Sequence, residues 1–106
     1  MKTEFTLLYI TFPSQKSALD LAHKCLKAKL IACANIIPKS ISIYQWQDKV
    51  EQQQETIAIF KTTKTKQEEL KKLIIKNHEY DCPCIGLIDI DFLNQDFSQW
   101  VIENID

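Results

Sequence analysis

Between Ile31 and Lys61 the chain alternates as two β-strands joined by a tight turn, each about twice the usual strand length of roughly 5–6 residues. Few folds can hold such a ribbon, because it outgrows the domain that carries it. The first arm runs Ile31 to Ile37, breaks at Pro38-Lys39, then alternates through Ser40-Ile41-Ser42-Ile43-Tyr44-Gln45-Trp46. Pro38 lacks an N–H, which suits a bulge or bend at that point. The return arm starts at Val50 and crosses a polar middle, Glu51 to Glu55. It ends in Thr56-Ile57-Ala58-Ile59-Phe60-Lys61, a run dense in β-formers. A long, partly polar, two-stranded ribbon is marginal alone in water. Pairing its edges with another copy of the chain would keep it ordered, so the sequence predicts a homo-oligomer.

The flanking segments complete a single domain over residues 1–106. Phe5 to Phe12 reads as a strand ended by Pro13, and Ser14 can cap a helix whose stripe is Ala18, Leu19, Ala22, Cys25, Leu26 and Leu30. After the hairpin, which turns at Gln47-Asp48, a second helix is expected from a capping box, Thr65 with Glu68, with Leu70, Leu73 and Ile74 facing the core. Asn77-His78 ends that helix, and a loop of Glu79 to Pro83 leads into a fourth strand, Cys84 to Ile90. A short C-terminal helix holds Phe97, Trp100, Val101 and Ile105. The order βαββαβ plus a tail predicts an α+β, ferredoxin-like sandwich.

Composition narrows the function classes. A net charge of −1 with lysine spread along the chain gives no electrostatic footprint for nucleic acid or an anionic membrane. All thirteen basic residues are lysine, so the bidentate guanidinium clamp usual for phosphate and carboxylate is missing. The N-terminus shows no charged, apolar and cleavage-site succession, and no apolar run approaches about 18 residues, so a soluble cytoplasmic protein is expected. Cys25, Cys33, Cys82 and Cys84 are accordingly expected as reduced thiols. No Ser–His–Asp order, P-loop or H-E-x-x-H occurs, and the single glycine excludes a glycine-rich phosphate cradle, so no enzyme activity is expected.

Cys82-Pro83-Cys84 is the one local metal-like signal. Two thiolates one residue apart suit a soft ion such as Cu(I), and in an extended segment they point to the same side, with His78 able to add an imidazole. The zinc pattern of two ligand pairs is absent. His78 at a helix C-terminus has a second reading as a dipole-interacting cap. Tyr44, Trp46, Tyr80 and Trp100 read as core or interface anchors, and Lys61 at the end of its strand can present its amine to a ligand in a cleft or extend into solvent.

Several phrases in fixed order resemble one family. Ala32-Cys33-Ala34-Asn35-Ile36-Ile37-Pro38, Ser42-Ile43-Tyr44-Gln45-Trp46, Lys61-Thr62-Thr63, His78-Glu79-Tyr80-Asp81-Cys82-Pro83 and Trp100 look like the successive landmarks of the CutA divalent-cation tolerance proteins. The resemblance implies a homotrimer on a ferredoxin-like fold, with long hairpins joining the subunit sheets. It also implies a role in tolerance of divalent metals, copper above all, bound weakly. Departures matter for the chemistry. The loop that in the family commonly reads H-P-Y-x-x-P-E has Glu79 for its first proline and Cys84 for its final glutamate, and the first strand offers no sulfur at Tyr9 to Pro13. Glycines common after the I-I-P and Tyr-x-Trp segments are Lys39 and Asp48 here.

Two functional readings follow. In the first, Cys84, His78 and Cys82 hold copper or another metal ion in a trimeric tolerance protein. In the second, a trimeric small-molecule sensor or adaptor holds an anionic metabolite in inter-subunit clefts lined by Lys61, Tyr44, Trp46 and Tyr80.

Overall fold

The computed structural model describes residues 4–105. Its elements are β1 (Phe5–Phe12), α1 (Gln15–Lys27), β2 (Cys33–Trp46), β3 (Lys49–Thr63), α2 (Gln67–Asn77), β4 (Ile85–Ile90) and α3 (Gln95–Asn104). The strands form one antiparallel sheet in the order β2-β3-β1-β4, which is the expected βαββαβ arrangement followed by a helix.

Alternation along β1 and β3 divides the sheet into two faces. Leu8, Ile10 and Phe12 of β1 sit opposite Phe60, Ala58 and Thr56 of β3 and point at α1 and α2, where they join Leu21, Cys25, Leu70 and Ile74 in the main core. On the other face Phe5 and Ala32 pack with Val101 and Ile105 at the α3 end. Two buried hydroxyls in the sheet are satisfied by carbonyls: Thr62 donates to Leu30 at 2.7 Å and Thr6 to Ile88 at 3.2 Å.

The helices differ from expectation in two details. Ser14 caps α1 by accepting from the Ser17 N–H at 3.1 Å, but the buried stripe is Ala18, Leu21, Ala22 and Cys25. Leu19 and Leu26, expected in it, are seven residues apart on a flank of the helix and remain half-exposed, while Leu21 takes the buried place. The expected Thr65–Glu68 capping box does not form. Residues 64–66 make a 3₁₀ turn, α2 starts one residue after Lys66 without a side-chain cap, and the Thr65 hydroxyl turns back to Thr63 at 3.0 Å. Glu68 and Glu69 still place negative charge in the first turn of α2, where the helix dipole favours it.

The hairpin outruns the sheet. Pairing of β1 with β3 stops at Phe12↔Thr56, whereas β2 and β3 continue from Ser40↔Glu55 to Trp46↔Lys49, seven rungs with no third strand. Ile41, Ile43, Trp46 and Val50 on this ribbon are 62–70% exposed within one chain. At its root, β2 spends Pro38 and Lys39 between the rungs Ile37↔Ile57 and Ser40↔Glu55, a bulge that absorbs the missing N–H of Pro38. Lys39 is left-handed there (φ 63°), and the two-residue turn at the tip has both Gln47 (φ 50°) and Asp48 (φ 65°) left-handed, matching a type I′ hairpin.

A fourth left-handed residue closes α1. Lys29 (φ 59°) donates to the Leu26 carbonyl and Leu30 to that of Cys25, both at 3.0 Å, the paired bonds of a Schellman motif that normally favours glycine. A non-glycine residue in this conformation costs about 1–2 kcal/mol, partly offset by the larger folding entropy of glycine, about 0.5–1 kcal/mol. Lys29→Gly and Lys39→Gly should therefore each raise stability by about 0.5–1 kcal/mol in urea unfolding. A loss of stability in both would show that the lysine side chains contribute more than their backbone costs.

Candidate functional site

The period of two that builds the ribbon also builds its chemistry. Tyr44 pairs with Glu51 and Ser40 with Glu55, so Tyr44, Trp46, Glu51, Gln53 and Glu55 fall on one face of the ribbon. The loop between α2 and β4 comes up beside that face, and together they border an open cleft of about 730 Å³. The loop contributes Glu79, Tyr80, Asp81, Cys82 and Cys84, and β1 contributes Thr11.

Two phenols tie the cleft together. Tyr80 donates to Glu55 Oε2 at 2.8 Å, joining loop to ribbon, and Tyr44 donates to Gln53 Oε1 at 2.7 Å across the ribbon. Burial, followed by the Glu55 carboxylate, pushes the Tyr80 phenol well above its ordinary range, and Glu79 adds to the effect. The charged groups that line the cleft are Glu51, Glu55, Glu79 and Asp81; no lysine is among them.

His78 holds the loop at its root. It follows α2 directly, its ring stacks on Phe12 with centroids 4.7 Å apart, and Nε2 lies 2.8 Å from the Thr11 carbonyl. Nδ1 accepts from the Tyr80 N–H at 3.0 Å. An N–H can bond only to an unprotonated ring nitrogen, so the proton sits on Nε2 and the imidazole is neutral with both nitrogens engaged.

The residues singled out from the sequence thus divide into groups. Tyr44, Trp46, Tyr80, Cys82 and Cys84 share the cleft. His78 stands behind it, with no lone pair left for a metal in this arrangement, and among the described residues no three His, Cys, Asp or Glu side chains converge as a metal-holding group. Lys61 is elsewhere in the chain, at the opposite end of β3, with its ammonium 5.5 Å from the centre of the Phe97 ring. Trp100 packs beside the same Phe97 ring. Cys82 and Cys84 are exposed free thiols, while Cys25 is fully buried and its thiol is pushed up to about 12 by burial, which makes it a packing residue. The acidic lining was missed from the sequence, although the alternation of Glu51, Gln53 and Glu55 was a readable signal for one shared face.

Replacing His78 with Phe keeps a flat ring against Phe12 but leaves the Thr11 carbonyl and Tyr80 N–H without partners. His78→Phe should lower stability by about 1–3 kcal/mol and speed exchange of the Tyr80 amide proton. Unchanged exchange would show that the loop is held by Tyr80 and Glu55 alone.

Comparison with known proteins places this geometry. The family described as CutA1 divalent ion tolerance protein matches residues 6–104. The divalent-cation tolerance protein CutA of Pyrococcus horikoshii is 42% identical over 97 residues, covering 92% of this chain and 94% of its own. That of Thermococcus kodakarensis is 40% identical over 98 residues, covering 92% and 93%. The crystal structure of the divalent ion tolerance protein CutA1 from Ehrlichia chaffeensis superposes with a TM-score of 0.94 at 35% identity, covering 100% of this chain and 99% of that one. With family, relatives and architecture in agreement along almost the whole length, the chain belongs to the CutA1 divalent ion tolerance family.

Proposed function

We propose that this protein serves metal tolerance as a homotrimer in the cytoplasm, without catalysis, by holding copper as Cu(I) on the thiols of Cys82 and Cys84. The observation that carries the reading is that both thiols are free, exposed and open on one cleft. Thiolates favour soft ions, so the exchange of the family's usual glutamate for Cys84 shifts the site from hard divalent ions toward Cu(I). His78 acts here by fixing the loop that carries both thiols, and Glu79 and Asp81 line the same cleft with negative charge. Four unbridged cysteines suit a reducing compartment.

Competition against a chromophoric Cu(I) chelator under reducing conditions tests the metal. Binding should be tighter for Cu(I) than for Zn²⁺ or Ni²⁺, and Cys82→Ser combined with Cys84→Ser should remove most of that preference. Wild-type Cu(I) affinity in the double variant would return both cysteines to packing or surface roles.

Two features support the trimer: the ribbon face turned away from the cleft, with its uncovered Ile41, Ile43 and Val50, and the sheet face opposite α1 and α2, where Ile37 and Ile88 stay 45% and 51% exposed. Both unpaired sheet edges, on β2 and β4, are open to another copy. Sedimentation should give three chains at micromolar concentration and a melting point that rises with concentration in the dissociating range. A stable folded monomer would exclude the assembly. A second reading, a small-molecule sensor, is favoured by the cleft itself, whose volume falls in the range of roughly 300–1,000 Å³ typical of ligand sites.

A further inference from the structure

We infer that the cleft between the ribbon and the α2–β4 loop binds an organic cation carrying alkylammonium groups. This deepens the small-molecule reading and reverses the charge of ligand expected from the sequence. At about 730 Å³ the open cleft has room for a small organic molecule, far more than a bare metal ion needs. Its walls include three aromatic rings, Tyr44, Trp46 and Tyr80. The hydroxyls of both tyrosines are already committed to Gln53 and Glu55, so what these rings add to the cleft is chiefly π surface.

The remaining lining sets the sign. An anionic metabolite would meet four carboxylates and no lysine, in a chain that has thirteen lysines to place. Glu55 is engaged by Tyr80, whereas Glu51, Glu79 and Asp81 are exposed and, among the described residues, make no close ion pair; Lys16 acts on Glu79 only as a longer-range charge. A hydrated metal ion would use those carboxylates but gain little from Trp46, an indole that is 62% exposed within the chain. An alkylammonium ion uses both, since its charge pairs with carboxylate while its methyl or methylene groups lie against aromatic faces. Ammonium groups bound this way are held by ring and carboxylate together, without a guanidinium or a metal.

Calorimetric titration of the intact protein with spermidine, tetramethylammonium chloride and, as a control for charge alone, magnesium chloride tests this. Spermidine or tetramethylammonium should bind saturably, and Trp46→Ala should weaken that binding roughly tenfold. The near-isosteric pair Glu51→Gln with Glu79→Gln should also weaken it roughly tenfold, which keeps the test valid if loss of Trp46 disturbs assembly. Sedimentation of each variant separates a lost ligand from a lost oligomer. Absence of saturable binding for both ammonium probes overturns the inference. So does magnesium binding of equal strength, or unchanged affinity in both variants. Cu(I) competition on the same protein reports on the thiols separately, so failure here leaves the metal reading standing.

Discussion

Everything distinctive in this structure depends on β3 pairing along both of its edges. Over Ile57 to Lys61 it lies between β1 and β2, and its buried positions Ala58 and Phe60 help anchor the main core. Over Lys49 to Glu55 the β1 side is vacant and only the β2 ladder remains. One strand therefore serves as the centre of a domain and as half of a protruding ribbon. Because side-chain facing is continuous along it, the face that carries Ile57 and Ile59 in the domain becomes the face that carries Glu55, Gln53 and Glu51 in the ribbon. The bulge at Pro38-Lys39 preserves that continuity across β2, since Ile37 and Ser40 remain on the same side despite the extra residue.

The α2–β4 loop converts this ribbon face into a cleft. It is held at two points of different chemistry: His78 at the root, bonded to backbone on both sides, and Tyr80 further on, bonded to a carboxylate of the ribbon. The neutral imidazole matters because a doubly protonated ring has no acceptor, and the Tyr80 N–H would then face another N–H. Cys82 and Cys84 follow immediately after these anchors and before β4 begins at Ile85, so their position is inherited from the loop's attachment and from the start of pairing with Ile10.

Much of the fold was legible because its signals are periodic and local. The alternation of Ser40 to Trp46, the ending of β1 at Pro13 and the cap at Ser14 each specify one structure with little competition. The helix stripe was less legible. A heptad spacing such as Leu19 and Leu26 satisfies helical periodicity on a flank as well as at the centre, and only the position of the sheet decides which is buried. The capping box failed because Thr65 had a nearer partner in Thr63, an alternative that sequence spacing does not display. Lys39 and Asp48 were visible as replacements for glycine, and both turned out left-handed, so the chain keeps the turn geometry despite the unfavourable residues.

The site was legible in its residues but not in its grouping, for a reason that is physical. Tyr44, Trp46, Tyr80, Cys82 and Cys84 come from two segments that chain topology brings together, whereas Lys61 lies on the same strand as Glu51 and Glu55 but at the other end of it. Ten residues of strand separate Lys61 from Glu51, about 34 Å at the usual rise per residue. Within one chain an ammonium at that distance cannot neutralise the ribbon's carboxylates, because screening at physiological salt acts over about 8 Å. Glu51, Glu79 and Asp81 thus gather beside two thiols and three aromatic rings, with Lys49, paired to Trp46 on the same ribbon face, as the one lysine of β3 near them, and this local excess of carboxylate, in a chain whose net charge is only −1, is what favours the cationic occupant inferred above.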